Sequence, residues 1–140
     1  MVNDTIFICD FDGTITKKDT INDFLEKFAD KKWLEVEDDW VAGRVPTCEA
    51  MRLQFGMIKN MSRETFDKFF DTVEIDEYFE KFYEHCKEKG YKVVIVSDGF
   101  EYFIRRVLDK YGISGIDVYS NHFEFNDGNF IMEFPYKNEN

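Results

Sequence analysis

Two aspartates stand two positions apart where an apolar run ends, in the segment IFICDFDGT that covers residues 6–14. Side chains at i and i+2 of an extended chain point to the same side, so the carboxylates of Asp10 and Asp12 should lie together. One carboxylate of such a pair can attack phosphorus and form an acyl phosphate, while the other protonates the leaving oxygen and later deprotonates water. The competing interpretation is an Asx-rich turn after a strand.

The two negative charges of this pair repel each other at such a short spacing. A divalent cation that prefers oxygen ligands would relieve the repulsion and would also shield the charge of an incoming phosphate group. Mg²⁺ is therefore the cofactor expected beside Asp10 and Asp12.

A second polar group ends another apolar run. Val93–Val96 is followed by Ser97, Asp98 and Gly99, and then by a predicted helix. In an open parallel sheet, ligands collect beyond the carboxyl ends of the strands, where the Ser97 hydroxyl and the amides at the helix start can hold phosphate oxygens. A turn followed by an ordinary helix cap is the alternative interpretation.

Hydrophobic spacing predicts the elements of the first half of the chain. The run Thr5–Cys9 is typical of a buried strand. An all-helical block follows, and its aromatic side chains indicate a small helical core rather than a cofactor-binding box. The helices are predicted from Asp19 to Phe28 and over 31–42, 47–59 and 62–72, with N-caps at Asp19 or Thr20, at Thr47 and at Ser62.

The second half of the chain alternates helix and strand, which is typical of an α/β unit with parallel strands. The strand Tyr91–Val96 is expected at the centre of the sheet, covered on both faces, with its end at Ser97. A hairpin with Asp127 and Gly128 at its tip closes the chain. The other elements are a helix over 77–89 with Tyr78, Phe82, Tyr83 and Cys86 on its inner face and Gly90 as its left-handed end, a helix over 100–111, and a strand Ile116–Ser120.

The composition restricts the partners and the compartment. The 140 residues suit one domain, and their net charge of −11 disfavours nucleic acid and anionic membranes as partners. The three cysteines have neither zinc-site nor disulfide-framework spacing, so reduced thiols are expected. Neither a leader peptide nor a membrane span is expected from the pattern of apolar residues. A cytoplasmic protein that acts on a small phosphorylated metabolite is the resulting expectation.

The two strand-end motifs together resemble those of the haloacid dehalogenase-like phosphatases. Asp10-Phe11-Asp12-Gly13-Thr14 is similar to the first motif of this superfamily, and the strand ending in Ser97 is similar to the second. The segment from Phe7 to Asp19, together with Asn121-His122-Phe123, looks closest to the methionine-salvage enol-phosphate phosphatases and the neighbouring phosphoserine phosphatase branch. The resemblance implies a Rossmann-like parallel sheet over 1–16 and 75–140, with an inserted helical C1 cap over 17–74.

The resemblance also implies roles for single residues. Asp10 would be the nucleophile and a metal ligand, and Asp12 would be the acid and base with its backbone carbonyl on the metal. Asp19 would lie at the boundary between cap and site, and Gln54 would stand where phosphoserine phosphatases carry an arginine, with Arg52 nearby. The phosphate contacts implied in this way are Gly13, Thr14, Ser97, Asp98 and Gly99.

Two further motifs of the superfamily, a lysine and a group of acidic residues on another strand, would follow the hairpin, where this sequence stops. The core is therefore expected to be incomplete at its C-terminal end, with the Thr5–Cys9 strand unpaired on one side. Self-association through that edge, or a longer parent protein, is expected, together with feeble activity of the 140 residues alone. The alternatives to a Mg²⁺-dependent phosphomonoesterase are an inactive fragment that binds phosphate or a partner, and a phosphotransferase that uses the same aspartyl phosphate.

Overall fold

The computed structural model describes residues 4–137 as ten elements arranged around one four-stranded sheet. Residues 1–3 and 138–140, which belong to the predicted core segments, lie outside the described residues. The elements are β1 (Ile6–Cys9), α1 (Thr20–Phe28), α2 (Trp33–Val41), α3 (Thr47–Gly56), α4 (Arg63–Phe70), α5 (Glu77–Lys89), β2 (Lys92–Phe100), α6 (Glu101–Lys110), β3 (Asp117–Asn126) and β4 (Asn129–Glu133).

The sheet has the strand order β1-β2-β3-β4, with β1, β2 and β3 parallel and β4 antiparallel to β3. The α/β class and the parallel sheet predicted from the sequence are therefore confirmed. The predicted strand Ile116–Ser120 and the first arm of the hairpin form the single strand β3. Asp127 and Gly128 at the hairpin tip have φ angles of 49° and 80°, the left-handed values that a tight two-residue turn requires.

The strand β2 is interrupted at the predicted site motif. Its ladder to β3 pairs Val96 with Tyr119, then shifts register and resumes only where Phe100 pairs with Asn121. The prediction that β2 ends at Ser97 is therefore wrong, because the chain bulges there and rejoins the sheet. The bulge takes Ser97 to Gly99 out of the regular ladder at the carboxyl edge of the sheet.

The helical block forms as predicted, with one wrong cap. The Asp19 carboxylate accepts from the Asn22 amide at 3.0 Å, and Ser62 caps α4. Thr47 does not cap α3, because Pro46 holds the N-cap position and Thr47 is the first helical residue. The Thr47 hydroxyl instead accepts from the Trp40 indole N–H at 3.0 Å.

Phenylalanine side chains join the helical block to the sheet in one apolar core. Phe24 packs on Phe66 at 5.1 Å between ring centroids, and Phe70 stacks on Phe103 of α6 at 4.5 Å. All four of these side chains are buried, which supports the packing interpretation of the aromatic residues. Trp40 is an exception with 40% of its surface exposed.

One face of the sheet is left uncovered by the described helices near β1. Phe7 packs against Phe82 of α5, whereas Ile6 and Ile8 point to the other face and are 56% and 71% exposed. The prediction that Thr5–Cys9 is buried is wrong, because an edge strand covered on one face exposes every second side chain. The strand β2 lies inside the sheet as predicted, between β1 and β3. Val93 and Val94, which point to opposite faces, are both buried, whereas Val96 at the end of the apolar run is 46% exposed.

Two further observations bear on the predictions for single residues. Tyr78, predicted on the inner face of α5, is 65% exposed, and Phe79 is the buried residue at that end of the helix. Gly90 ends α5 in the predicted left-handed conformation.

The three cysteines are free, with Cys86 buried. Within residues 4–137, no helix is both long and apolar enough to cross a membrane.

Candidate active site

The carboxyl ends of β1 and β2 meet at a cavity of about 200 Å³ that α1, α2 and α3 close from the other side. Seven of the residues predicted from the sequence line this cavity. They are Asp10, Asp12, Asp19, Gln54, Ser97, Asp98 and Gly99. Gly13, Thr14 and Arg52 are exposed and are not among the described residues that line it, so their predicted contacts with substrate stay predictions.

The loop after β1 is folded back on the carbonyl oxygen of the buried residue Phe11. This oxygen accepts from the amides of Thr14, Ile15 and Thr16 at 3.2, 3.0 and 3.1 Å. Gly13 has a φ of 71° at the turn, and its amide donates to the Thr16 hydroxyl oxygen at 2.9 Å. The loop is thus held by its own hydrogen bonds, which fixes the two aspartates that flank Phe11.

Asp10 presents its carboxylate to the cavity with one oxygen engaged. Its Oδ1 accepts from the Phe11 amide at 2.7 Å. Within the part of the chain that the structure describes, no donor is recorded on Oδ2. The side chain is exposed, so the free oxygen is accessible to a bound molecule.

Asp12 lies deeper than Asp10. The Thr20 hydroxyl at the start of α1 donates to its Oδ1. The pKa of Asp12 is raised to about 7: burial is the main cause, the hydrogen bond from Thr20 opposes the rise, and the nearby Asp19 and Asp10 charges contribute to it. A carboxyl group with this pKa can hold a proton near neutral pH, which is what a general acid requires.

The bulge in β2 brings a second polar group against Asp12. The Gly99 amide donates to Ser97 Oγ at 2.9 Å. A Cβ added at Gly99 would lie 2.8 Å from the Phe103 ring, 3.0 Å from Asp12 Oδ2 and 3.1 Å from Ser97 Oγ. Glycine is therefore required here by close packing rather than by its φ angle, and Ser97 Oγ and Asp12 Oδ2 both border the space that a Cβ would take.

Asn121 supports this bulge from β3, and no role in the site is predicted for it from the sequence. Its side chain is 9% exposed, and Nδ2 donates to the Asp98 carbonyl at 2.8 Å. The signal that could have identified it is a pair of polar residues, Ser120 and Asn121, in a strand that is otherwise apolar at its buried positions.

The wall formed by the helical block carries further polar side chains. Gln54, only 4% exposed, donates from Nε2 to Glu37 Oε2 at 2.9 Å, and both residues line the cavity with Trp40. Glu37 and Trp40 were missed because helical periodicity alone does not show which side of α2 faces the sheet. Arg52 lies over the Phe134 ring at 4.7 Å.

A larger cavity of about 740 Å³ adjoins the first and shares Asp10, Thr47, Ser97 and Asp98 with it. Lys137 lines this second cavity. No group of three or more His, Cys, Asp or Glu within residues 4–137 is arranged to hold a metal ion.

Comparison with known proteins agrees with this architecture. The family model described as haloacid dehalogenase-like hydrolase matches residues 7–139. A 2-hydroxy-3-keto-5-methylthiopentenyl-1-phosphate phosphatase of Bacillus pumilus is 30% identical over 132 residues, which are 94% of this chain and 57% of the relative. The phosphatase of the same name from Geobacillus thermodenitrificans is 34% identical over 110 residues, 78% of this chain and 50% of the relative. The chain spans about half the length of these relatives.

Solved structures share the fold at lower identity. A HAD-family hydrolase of Salmonella enterica serovar Typhi superposes with a TM-score of 0.78 at 18% identity, covering 94% of this chain and 45% of that one. A phosphoserine phosphatase described as a phospho-aspartyl intermediate analogue has a TM-score of 0.74 at 21% identity, covering 94% of this chain and 63% of that one. These likenesses show the fold.

The close packing at Gly99 predicts the cost of adding one methyl group. Gly99→Ala should destabilise the chain by about 1–3 kcal/mol, because the buried Phe103 ring and the carboxyl group of Asp12 must both move. Gly56→Ala is the matched control: its Cβ would meet nothing within 4 Å, so stability should stay unchanged or rise slightly. Urea unfolding measures both, and equal stabilities of the two variants would contradict the packing at Gly99.

The raised pKa of Asp12 predicts a pH dependence of stability in the metal-free chain. The folded pKa of about 7 lies above the unfolded value, so the folded state binds more protons and loses stability as pH rises from about 4 to 7. The loss should be roughly 2–4 kcal/mol, and Asp12→Asn should remove it. Urea unfolding in EDTA at several pH values tests this, and an unchanged pH profile in Asp12→Asn would contradict it.

Proposed function

Because this chain belongs to the haloacid dehalogenase-like hydrolases, we propose that it forms the site of a Mg²⁺-dependent phosphomonoester hydrolase that works through an aspartyl phosphate. The substrate is a small phosphorylated metabolite, for which the enol phosphate in the names of the relatives is one candidate. The observation that carries the proposal is the pair Asp10 and Asp12 at the end of β1, facing Ser97 across one cavity.

In the first step, the free Oδ2 of Asp10 attacks the phosphorus atom of the ester. The Phe11 amide holds the other oxygen at 2.7 Å and so orients the carboxylate. The bond between phosphorus and the ester oxygen breaks, and Asp12 donates its proton to that oxygen as the alcohol leaves. The pKa of about 7 at Asp12 keeps the proton available at neutral pH.

In the second step, Asp12 acts as the base. It takes a proton from a water molecule, which attacks the phosphorus of the acyl phosphate, so that inorganic phosphate leaves and the Asp10 carboxylate is restored. The Thr20 hydroxyl stabilises the ionised form of Asp12 that exists between the two steps. Ser97 holds a phosphate oxygen, and we retain Gly13, Thr14, Asp98 and Gly99 as further phosphate contacts.

The donors around Asp10 fit Mg²⁺. This ion is commonly held by one or two carboxylates together with water and substrate phosphate oxygens, and Asp10 and the Asp12 carbonyl are hard oxygen donors of that kind. The bound ion would supply charge neutralisation between the carboxylates and the phosphate. In our proposal, 1–16 and 75–140 form the catalytic core and 17–74 form the lid.

Binding without turnover is the second candidate function. The observation that favours it is that the described residues include no group of three acidic or histidine ligands for a metal. A phosphotransferase would use the same Asp10 chemistry and differ only in the acceptor that takes the phosphoryl group. Release of inorganic phosphate into water distinguishes a hydrolase from both alternatives.

Self-association is proposed through the open edge of β1. Its support is that β1 ends the described sheet and that Ile6 and Ile8 are largely exposed beside it. An unpaired strand edge with apolar side chains invites pairing with a second chain. For the compartment, we propose the reducing cytoplasm, which suits three free thiols.

The nucleophile assignment predicts the effect of an isosteric change. Asp10→Asn should lower Mg²⁺-dependent phosphate release from p-nitrophenyl phosphate by roughly a thousandfold or more, because the amide cannot attack phosphorus. Asp38→Asn, at an exposed position of α2, is the matched control and should retain the wild-type rate. Phosphate release is measured with Mg²⁺ and with EDTA. Equal rates for the Asp10 variant and the control would contradict the mechanism.

The edge assignment predicts the behaviour of the chain in sedimentation velocity. In about 0.15 M salt the wild-type chain should associate as its concentration rises. Ile8→Lys should keep the chain monomeric, because the added charge cannot be buried in a contact between two β1 edges. Ile131→Lys, at the half-exposed position of β4, should behave as the wild type does. A wild-type chain that stays monomeric at every concentration would contradict the proposal.

A further inference from the structure

The wall of the 200 Å³ cavity opposite the strand ends has no role in the two chemical steps. It is contributed by α1, α2 and α3, and it faces the side on which the leaving group would lie if the phosphate sits between Asp10 and Ser97. The polar side chains of this wall are Asn22, Glu37, Trp40, Thr47 and Gln54, and its apolar side chains include Met51 and Ile21.

The charge around the cavity has one sign. Five carboxylate side chains line it, and no lysine or arginine among the described lining residues balances them. The five are Asp10, Asp12, Asp19, Glu37 and Asp98. Lys137 lines the adjoining cavity, which shares Asp10 and Ser97 but includes neither Glu37 nor Gln54. A negative charge on the leaving group would therefore meet Glu37 without a cation on this wall.

Glu37 and Gln54 present hydrogen-bond acceptors on this wall. Gln54 is 4% exposed, and its Nε2 donates to Glu37 Oε2 at 2.9 Å. This bond uses a donor of the amide and leaves Gln54 Oε1 and Glu37 Oε1 without a recorded donor within residues 4–137. Both free oxygens are acceptors, so a ligand group that satisfies them must donate. Met51 and Ile21 supply an apolar surface beside them.

We propose that this wall selects the leaving group: it takes phosphomonoesters whose leaving group carries a hydroxyl or ammonium donor, and it rejects those that carry a carboxylate. This inference rests on the proposed phosphatase function and adds the substrate class. Glu37 is the discriminating residue, because its carboxylate attracts an ammonium group and repels a carboxylate. The buried amide of Gln54 keeps Glu37 in place through the hydrogen bond between them.

The test compares O-phosphoethanolamine with O-phosphoserine, which differ by one carboxylate. Their affinities are measured by calorimetry with Mg²⁺, using the whole 140-residue chain with Asp10→Asn to prevent turnover. O-phosphoethanolamine should bind at least about tenfold more tightly. Adding Glu37→Gln, whose side-chain oxygen can still accept from Gln54, should reduce the ratio of the two affinities to below about threefold. Adding Glu35→Gln, an exposed position of the same helix, should leave the ratio unchanged.

Inorganic phosphate is the reference ligand that separates this inference from the function on which it rests. If phosphate binds but the two esters bind equally, or phosphoserine binds more tightly, or neither ester binds, the selectivity is overturned while a phosphate site remains. A ratio that survives Glu37→Gln overturns the role of Glu37. If inorganic phosphate itself fails to bind, the proposed function fails and the selectivity falls with it.

Discussion

The parallel register between β1 and β2 is the constraint on which the site depends. Cys9 pairs with Ile95, so Asp10, which follows β1, and Ser97, which lies in the bulge of β2, emerge at the same edge of the sheet. A shift by one residue would turn the side chains that follow to the opposite face. The alternation of side chains between the two faces of β1 fixes this register, since Phe7 packs against α5 while Ile8 points away from it.

Close packing at this edge then sets the chemistry of the carboxyl groups. Gly99 leaves no space for a side chain between the Phe103 ring, Asp12 and Ser97, so the backbone itself closes the cavity there. The same burial raises the pKa of Asp12 to about 7, whereas Asp10 stays exposed with one oxygen held by a backbone amide. Two carboxyl groups two residues apart thus occupy different environments, which is what the proposed division into a nucleophile and an acid requires.

The site residues that could be predicted from the sequence are those whose signal lies within one short segment of the chain. Asp10 and Asp12 follow an apolar run directly, and Ser97 follows another, so these polar positions could be recognised without knowing the fold. Glu37 and Asn121 reach the site through helix packing and through the register of β3, neither of which one sequence reveals.

The errors in the predicted fold have a similar cause. An apolar run such as Ile6-Phe7-Ile8-Cys9 does not show that only one of its faces is covered, and a threonine after a proline looks like a helix cap whether or not it is one. The α/β class was accessible because the alternation of strands and helices, with the glycines that end helices, is also local. The division into core 1–16 and 75–140 and lid 17–74 stays a prediction.

The central claim is that Asp10 carries the phosphoryl group covalently. The direct measurement is to incubate the chain with Mg²⁺ and acetyl phosphate, add hydroxylamine, which converts an aspartyl phosphate to a hydroxamate, and locate the modified residue by peptide mass spectrometry. The account predicts the hydroxamate at Asp10 and its loss in Asp10→Asn. A hydroxamate at another carboxyl group, or an unmodified Asp10, would contradict it.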